Sequence, residues 1–336
     1  MNMRQDIDFV ILWVDGSDPE WRAEKAKYNP DFKVSDGEER YREWGLMPFW
    51  FRSVEKFAPW VRKIHFVTWG HLPEWLNTEA PKLNIVRHED YMPKEVLPVF
   101  NSHALEVGLH RIPGLSEKFV YFNDDTFLLN HVKPSDFFIG NKVVDMMAFR
   151  PVGANRVNPI QSIIHINNSL LLSKHFDKRA NIKKQPYVYF KPGYPLKYWI
   201  YNFVELLFPL FTGFYSLHQP APYFKRTFKE VWSKEGELLK EVQTHRFRDP
   251  SDVNQYIFRE WQKLTGHVVP RNIQRYSRYF EIKEDDNTKL LKTIMRQNGK
   301  MLCINDTVIH NNISKTKKQL NRAFTSILPQ KSSFEL

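Results

Sequence analysis

The chain of 336 residues is 42% apolar and 15% aromatic, and it carries a formal net charge of +11. These values exclude a disordered chain and allow one large domain, or two modest ones, with a substantial core. The basic balance predicts an anionic partner, which could be a phosphorylated substrate, an anionic lipid or nucleic acid. Cys303 is the single cysteine, which fits a reducing compartment. Its apolar run, MLCIND, favours a buried strand residue over a nucleophile.

The first 130 residues alternate between predicted strands and predicted helices. Continuous apolar runs predict buried strands at residues 7–14, 64–70, 84–90 and 119–122. Apolar residues at helical spacing predict helices near residues 46–57 and 105–112. This alternation indicates an α/β fold with a mostly parallel sheet. The first apolar run is too short, and too soon followed by acids, for a signal peptide, so we expect a cytoplasmic protein.

Polar or flexible residues stand where the predicted strands end. Asp15, Gly70 and Asp124 each fall at such a position. Ligands of parallel sheets bind beyond the carboxyl ends of the strands. We therefore expect these three positions to converge on one cleft.

The second half of the sequence is less regular. Residues 198–217 form an aromatic run about long enough to span a bilayer, but Glu205 lies inside it. An aromatic wall of the active site, or an interfacial patch that rests on lipid, is therefore favoured. Asp249, as an N-cap followed by proline, predicts a helix start. Helical spacing also predicts a helix near residues 287–298, and the run at 301–306 predicts a final strand.

Three acidic motifs are candidates for metal or ligand binding. The Asn-Asp-Asp motif at residues 123–125 offers the oxygen ligands that Mg²⁺ prefers, although a polar turn explains the same residues. Asp15 and Gly16 could approach a nucleotide or a metal, and an Asx turn is the alternative. Asn305 and Asp306 repeat the pattern of an acid after a strand.

Basic and titratable side chains form a second group of candidates. Arg246 and Arg248 precede a predicted helix start, where phosphates bind, although a solvated basic loop is the alternative. His218 follows the aromatic run and is either catalytic or structural. Arg52 lies opposite the apolar stripe of its predicted helix, which indicates a solvent-facing side chain. Glu106 is also off its core stripe and faces either solvent or the cleft.

Several well-known motifs are absent from the sequence. It contains no GxGxxG, no Walker A, no GxSxG and no cysteine-based zinc spacing. The basic residues are scattered and match no nucleic-acid-binding module. We therefore expect no nucleic-acid partner.

Six sequence blocks, in order, resemble the Stealth family: IDFVILWVDGSDPEW, RSVEKFAPWVRKIHFVTWGHLPEWLN, NIVRHEDYMP, LPVFNSHALEVGLHRIPGLSEKFVYFNDDTFL, HQPAPYFKRTF and CINDT. That family includes bacterial capsular-polysaccharide phosphotransferases and the animal enzyme that adds GlcNAc-1-phosphate to lysosomal glycoproteins. The resemblance implies a single catalytic domain over residues 1–312. Its expected parts are an α/β core at 6–150, an irregular aromatic and basic insertion at 151–216, and a helical part with the final strand at 217–312. A basic polar tail is expected at 313–336.

The resemblance also implies a Rossmann-like, GT-A-like core that binds a nucleotide sugar. The implied reaction moves a sugar-1-phosphate, such as N-acetylhexosamine-1-phosphate from UDP-GlcNAc, to a hydroxyl of a glycan acceptor. Attack on phosphorus would form a phosphodiester of a capsular or cell-surface polysaccharide and release UMP. Such phosphoryl transfer depends mostly on positioning and charge neutralisation, and Mg²⁺ or Mn²⁺ is the implied cofactor.

Carried over to this sequence, the resemblance implies an acidic catalytic cluster. Asp125, together with Asp124, would bind the divalent ion or orient the acceptor hydroxyl. Glu106 would complete the cluster or assist proton removal, and His218 would be a general base or a phosphate ligand. The choice of base among Asp125, Glu106 and His218 stays open. Ala221 stands where some relatives carry a second histidine, so this chain departs from the family pattern there and has no histidine at that position.

The remaining candidates would hold the donor. Asp15 with Gly16 would lie against the nucleotide, and Arg52, Arg246 and Arg248 would neutralise the diphosphate. The binding site would be completed from two strand ends by Asn123, Asn305 and Asp306.

Two other functions compete with this interpretation. A conventional metal-dependent glycosyltransferase would use the same nucleotide sugar and release UDP. A non-catalytic protein that binds glycans or nucleic acid would leave the acids at the strand ends unexplained. If the acceptor is lipid-linked, the aromatic run at 198–217 could dock on the inner face of the membrane, helped by nearby Lys and Arg.

Overall fold

The computed structural model describes residues 6–29, 41–155, 159–306 and 313–336, and the statements below concern those residues. The strands are β1 (Ile7–Trp13), β2 (Ile64–Thr68), β3 (Leu83–Arg87), β4 (Lys118–Phe122), β5 (Thr126–Leu128), β6 (Phe138–Ile139), β7 (Lys142–Asp145), β8 (Ala221–Phe224), β9 (Val268–Pro270), β10 (Ser277–Glu281) and β11 (Met301–Asn305). The α-helices are α1 (Pro19–Tyr28), α2 (Met47–Phe57), α3 (Ser102–Glu106), α4 (Pro134–Phe137), α5 (Pro159–His175), α6 (Lys178–Lys184), α7 (Pro186–Tyr189), α8 (Leu196–Val204), α9 (Lys225–Thr244), α10 (Tyr256–Leu264), α11 (Thr288–Met295) and α12 (Ile313–Ile327).

A five-stranded sheet lies at the centre of the fold, with the strand order β3-β2-β1-β4-β8. The strands β1 to β4 run parallel, and the edge strand β8 is antiparallel to β4. A strand covered on both faces needs a continuous apolar run, which is what β1 supplies. The predicted α/β fold with a mostly parallel sheet is therefore confirmed. The carboxyl ends of β1, β2 and β4 lie along the same edge of the sheet, where ligand sites form.

Helices cover both faces of this sheet because side chains alternate along each strand. Phe122 of β4 points to one face, where the ring of Trp50 from α2 meets it edge-on at 5.3 Å. Phe119 of the same strand points to the other face and packs against Phe228 of α9. Phe228 in turn stacks on Phe258 of α10 at 3.8 Å. The two aromatic layers hold α2 on one side and α9 and α10 on the other.

A second sheet, with the order β10-β11-β5, brings the end of the chain back to β4. Strand β11 pairs antiparallel with β5, and Cys303 lies opposite Thr126. The backbone N–H of Ile304 donates to the carbonyl oxygen of Asp125 at 2.8 Å. The predicted final strand is confirmed, and its end lies beside the acids that follow β4. A third sheet has the order β6-β7-β9.

The segment at 313–336 is not a polar tail. Residues Ile313–Ile327 form α12, in which Leu320 and Phe324 are buried. Phe324 stacks on Phe49 of α2, with ring centroids 5.6 Å apart. The apolar residues of α12 recur every three or four positions, which is the spacing of a buried helical stripe. The lysines on its other face make the segment basic in composition, so its apolar stripe was not recognised from the sequence.

The helix predicted to start at Asp249 starts instead at Tyr256, as α10. Asp249 accepts a hydrogen bond from the backbone N–H of Ser251 at 2.8 Å, which is an Asx turn. Asp252 turns inward and is fully buried, which holds the residues before α10 in an irregular conformation. The helix predicted near residues 287–298 is confirmed as α11.

No helix in the described parts of the chain is long and apolar enough to cross a membrane. The aromatic run at 198–217 is divided between α8, a 3-10 turn at Glu205–Leu207 and a loop that leads to His218.

Candidate active site

Asp125 and His218 form an ion pair at the edge of the central sheet. Strand β8 runs antiparallel to β4, with Tyr121 opposite Ala221. Residues just after β4 therefore lie beside residues just before β8. This geometry places His218 Nε2 at 3.1 Å from each carboxylate oxygen of Asp125. The other ring nitrogen, Nδ1, is 3.2 Å from the hydroxyl of Tyr256.

The pair controls the protonation of His218. Burial alone lowers the pKa of the imidazole, but the negative charge and hydrogen bonding of Asp125, with smaller effects from Glu106 and Asp124, raise that pKa above its ordinary value. His218 therefore tends to carry a positive charge beside the carboxylate. Such a pair can neutralise a phosphate or transfer a proton.

Cys303 contacts the same carboxylate. Its sulfur lies 3.3 Å from Asp125 Oδ2, and the side chain is fully buried in β11, as predicted for a strand residue. Burial and the nearby Asp125 raise the pKa of the thiol well above its ordinary range, so the thiol stays neutral and donates its proton to the carboxylate. Ligand atoms of Asp125, His218 and Cys303 lie within 4.8 Å of one another and form a group that could hold a metal ion.

Asp124 lies in the turn after β4, where its side chain is exposed to solvent but has many protein atoms around it. Desolvation, together with the charges of Asp125 and Glu43, raises its pKa to about 7. A divalent cation would relieve this repulsion and find the oxygen ligands that hard cations prefer. Asp125 belongs to the group of ligand atoms described above, and a metal role for Asp124 beside it remains a prediction.

Glu106 is a buried acid behind this cluster. It is 3% exposed, its Oε1 accepts from the Tyr121 hydroxyl at 3.1 Å, and its Oε2 accepts from the N–H of Gln255 at 3.3 Å. Burial raises its pKa to about 7, although the charges of Arg248 and His218 lower it in part. Of the two predicted orientations, solvent-facing is wrong. Glu106 lies within electrostatic reach of His218 and is poised near neutral pH.

Asp252 links the loop that carries Arg246 and Arg248 to α3. This buried carboxylate accepts from His245 Nδ1 at 2.7 Å, Asn101 Nδ2 at 2.9 Å and His103 Nδ1 at 3.2 Å. Burial raises its pKa, but these hydrogen bonds lower the pKa by more than burial raises it, so the net change is downward. The network fixes the loop that carries Arg246 to the helix that carries Glu106.

Arg246 and Arg248 extend from this loop. The guanidinium of Arg248 is 3.4 Å from the Ser102 hydroxyl. Arg246 lies over the ring of Tyr28 at 4.8 Å, and its buried Nε has no hydrogen-bond partner among the described residues. A buried guanidinium N–H without a partner is a position where an anionic ligand could bind.

Replacing Asp252 with Ala should disturb this loop. We expect a loss of about 3 kcal/mol in the free energy of unfolding, because several buried donors lose their acceptor. We also expect KM for an anionic donor to rise roughly tenfold, because Arg248 loses its support. Urea unfolding and steady-state kinetics measure the two effects. Asp249→Ala, in the Asx turn of the same loop, is the matched control and should change stability by about 0.5 kcal/mol. Equal effects in both variants would contradict the supporting role.

Asp15 and Gly16 form the Asx turn that was the alternative to ligand binding. The N–H and hydroxyl of Ser17 both donate to Asp15 Oδ1, at 2.8 and 2.6 Å. A Cβ on Gly16 would lie 2.4 Å from the carbonyl oxygen of Tyr41, so glycine is required by a close approach of backbone. His71 Nε2 accepts from the N–H of Asp15 at 2.8 Å. A nucleotide contact at Asp15 remains a prediction.

Arg52 does not belong to this cluster. Its guanidinium makes a two-point ion pair with Glu335, with the closest contact at 2.6 Å, and donates to the carbonyl oxygen of Leu328 at 3.0 Å. The arginine therefore holds the C-terminal segment against α2. Both sequence expectations are wrong, since Arg52 is neither solvated nor available to a diphosphate.

Asn305 and Asp306 follow β11 and are engaged with neighbouring elements. Asp306 Oδ2 accepts from Arg42 Nη1 at 2.6 Å and from Trp44 Nε1 at 3.1 Å, which holds the segment that carries Glu43. Asn305 Nδ2 donates to the hydroxyl of Tyr279 at 2.8 Å. These two residues support the acidic cluster from the side of β11.

Asn123 completes the turn after β4. Its carbonyl oxygen accepts from the N–H and hydroxyl of Thr126, at 3.0 and 2.7 Å. Its side-chain oxygen is 3.5 Å from Gln255 Nε2, so it contacts the segment before α10 only weakly. Asn123 thus shapes the turn that presents the acids, and ligand binding by its side chain remains a prediction.

Sequence reasoning missed several members of the site. Glu43, His71, Tyr121 and Tyr256 were not candidates, and Cys303 was interpreted only as a core residue. His71 follows Gly70 directly, so the rule that strand ends carry ligands could have found it. Glu43 precedes α2 and Tyr256 starts α10, so no strand-end signal marks them.

Acids that follow β4, together with a histidine and arginines from neighbouring segments, form an arrangement typical of an active site in an α/β enzyme. Two family profiles match this chain, described as Stealth protein CR1, conserved region 1, over residues 5–33, and Stealth protein CR2, conserved region 2, over residues 40–146. The chain is 39% identical to the capsular polysaccharide phosphotransferase WcwK of Streptococcus pneumoniae, with 99% of each chain covered. It is 35% identical to the exopolysaccharide phosphotransferase cps2G of Lactiplantibacillus plantarum, with 98% of this chain and 96% of the relative covered.

The chain belongs to the Stealth family, as the sequence blocks predicted, and it is an enzyme of the phosphotransferase class. The rival interpretation as a non-catalytic binding protein is thereby set aside. Among solved structures, the galactosyltransferase LgtC in complex with donor and acceptor sugar analogues has a TM-score of 0.42 at 11% identity, and 97% of each chain is covered. That similarity is too weak to bear on function.

Proposed function

We propose that this enzyme transfers a sugar-1-phosphate from a nucleotide sugar to a hydroxyl of a glycan acceptor, in the synthesis of a capsular or other surface polysaccharide. The Asp125–His218 pair at the carboxyl end of β4, with Arg248 and Glu106 behind it, is the observation that carries this proposal. The names of the full-length relatives support the class of acceptor.

The reaction balances as a substitution at phosphorus. The acceptor oxygen bonds to the phosphorus that carries the sugar, the pyrophosphate P–O bond breaks, and the nucleoside monophosphate leaves. For a UDP-sugar the leaving group is UMP. The hydroxyl proton passes to the Asp125–His218 pair, whose members lie 3.1 Å apart. A pH–rate profile of Asp125→Asn against His218→Asn tests which member accepts the proton.

The arginines and the acids would act on the negative charge of the donor in different ways. Arg246 and Arg248 are the groups proposed to neutralise the diphosphate, which is mostly an electrostatic task. Asp124 and Asp125 are the residues that would hold a divalent cation, Mg²⁺ or Mn²⁺. When bound, that ion supplies positive charge to the phosphate oxygens.

A conventional glycosyltransferase remains the alternative, because it would use the same donor and the same acids. The two reactions differ in the bond that breaks. Attack on phosphorus releases a nucleoside monophosphate, whereas attack on the anomeric carbon releases a nucleoside diphosphate.

The proposal is tested by incubating the purified protein with a panel of UDP-, CDP- and GDP-sugars, Mg²⁺ and an acceptor glycan. We expect release of UMP, CMP or GMP with one donor, and a phosphodiester in the product. The same assay with Asp285→Asn, an exposed acid, is the control for protein quality. Stoichiometric release of UDP with a glycosidic product would overturn the proposal in favour of the glycosyltransferase.

The proposed location is the cytoplasmic side of the plasma membrane, where nucleotide sugars are available. A lipid-linked glycan is the acceptor that fits this location. Comparing free with lipid-linked acceptor in the same assay tests this part separately, and equal rates would remove the reason for proposing a lipid-linked acceptor.

A further inference from the structure

Helix α8 has polar side chains on its inner face and apolar side chains on its outer face. Asn202 and Glu205, at the end of α8 and in the turn that follows, are both buried. Asn202 Oδ1 accepts from the N–H of Phe149 at 2.7 Å, and Glu205 Oε1 accepts from Lys178 Nζ at 3.0 Å. Rotating the helix to bury its apolar face would break these buried contacts, so the fold itself fixes which face is exposed.

The outer face presents a continuous set of large apolar side chains. Leu196 and Leu207 are each 73% exposed, and Phe203 is 67% exposed. A surface helix normally buries its apolar stripe, and an exposed apolar patch marks contact with a protein or a membrane. The patch, as defined here, consists of Leu196, Ile200, Phe203, Leu207, Phe208 and Leu210.

Cationic side chains occur at the edge of the patch and on the adjoining helix α6. Arg179 donates to the carbonyl oxygen of Leu206 at 3.2 Å, which places its guanidinium at the edge of the patch. Lys183 and Lys184 are exposed at the end of α6, and Lys197 is exposed on α8 itself. An apolar face with a rim of Lys and Arg is typical of helices that lie in the interface of an anionic bilayer.

The net positive charge of this region favours an anionic partner. Between residues 174 and 210 the sequence has seven Lys or Arg and only two acids, Asp177 and Glu205. Lys178 and Glu205 pair with each other inside the protein, and Lys174 pairs with Glu235, so five Lys or Arg remain against the single acid Asp177. A second copy of the chain would bring two cationic rims together, which is repulsive, whereas anionic lipid headgroups attract each of them.

We propose that the patch and its cationic rim form a docking surface for an anionic lipid bilayer, with α8 lying in the plane of the interface. The inference goes beyond the transfer reaction and does not depend on it. The residues after the patch lead directly to His218, so docking holds the active site close to the bilayer surface.

The test is flotation of the full-length protein with vesicles. We expect the protein to float with equal parts of phosphatidylcholine and phosphatidylglycerol at low salt, and to stay at the bottom with phosphatidylcholine alone. Phe203→Ser with Leu207→Ser should weaken binding at least about tenfold, because two large apolar side chains no longer enter the bilayer. Lys183→Gln with Lys184→Gln should weaken it roughly tenfold, and high salt should do the same.

Matched variants on another helix serve as controls. Met295→Ser removes an exposed apolar side chain, and Lys289→Gln with Lys292→Gln removes two exposed cations, all from α11. These should float like the unaltered protein. Circular dichroism shows whether each variant is folded, and the lipid and salt dependence of the unaltered protein needs no variant at all.

Two results would overturn the proposal. One is failure of the unaltered protein to float with the anionic vesicles at low salt. The other is a dimer in analytical ultracentrifugation that Phe203→Ser with Leu207→Ser dissociates, without vesicle binding, since the patch would then be covered by a second copy of the chain.

Discussion

Replacing Asp125 with Asn is expected to lower kcat/KM for nucleoside monophosphate release by roughly 10³-fold. Asparagine keeps the size of the side chain but loses the charge that raises the pKa of His218. It also replaces one carboxylate oxygen with an NH2 group, so one oxygen is left to accept hydrogen bonds from His218 and Cys303. The variant therefore removes one proposed proton acceptor and weakens the contact that charges the other, His218. The assay is release of the nucleoside monophosphate under saturating acceptor.

Cys303→Ser tests the contact of Asp125 with Cys303 separately from its contact with His218. Serine also donates to the carboxylate, so this variant should keep most of its activity. His218→Asn should lose activity to a similar extent as Asp125→Asn, and the double variant should lose little more, because the two residues act as a unit. An Asp125→Asn enzyme that retains more than about a tenth of the activity would exclude Asp125 from the reaction.

Glu106 is expected to make the protein less stable as the pH rises from about 4.5 to about 7. Its ordinary pKa of 4.5 in the unfolded chain is raised to about 7 in the folded protein. Between these values the folded state binds a proton that the unfolded state has lost, so the free energy of unfolding falls with increasing pH. The loss is complete above pH 7 and amounts to about 3 kcal/mol.

Glu106→Gln should remove this part of the pH dependence, because glutamine is a neutral counterpart of the protonated acid. Urea unfolding at pH 5 and pH 8 measures it, as the difference between the variant and the unaltered protein. The exposed Glu79→Gln is the control and should track the unaltered protein at both pH values. If Glu106→Gln and the unaltered protein change in parallel, Glu106 is ionised throughout and its assignment as a group poised near neutrality fails.

The central sheet could be predicted because its information is local. The buried strands are mostly apolar runs, and their alternation with helical spacing fixes the class of fold. The position of Asp125 follows from the same logic, since it stands directly after β4. The pairing of Asp125 with His218 could not be predicted, because it depends on β8 lying antiparallel beside β4. The two residues are 93 positions apart, and no local pattern reports that register.

The errors have a common physical origin, which is that long-range contacts override local signals. Arg52 lies off its apolar stripe, and Glu335, far along the chain, supplies its partner. Asp249 has the features of an N-cap, but the buried contacts of Asp252 stop the helix from forming there. Glu106 is an acid off the core stripe of its predicted helix, and it is buried because Tyr121 and Gln255 pack around it.

The contact between α2 and the C-terminal segment has a consequence for how the chain folds during synthesis. Phe49, Phe51 and Arg52 of α2 meet Phe324, Phe334 and Glu335 respectively. Arg52 and Glu335 are 283 positions apart. At ribosomal rates of about 5–20 residues per second, the C-terminal segment that packs on α2 is synthesised roughly 15–60 s after α2. During that interval its outer aromatic side chains are open to chaperones and to other nascent chains.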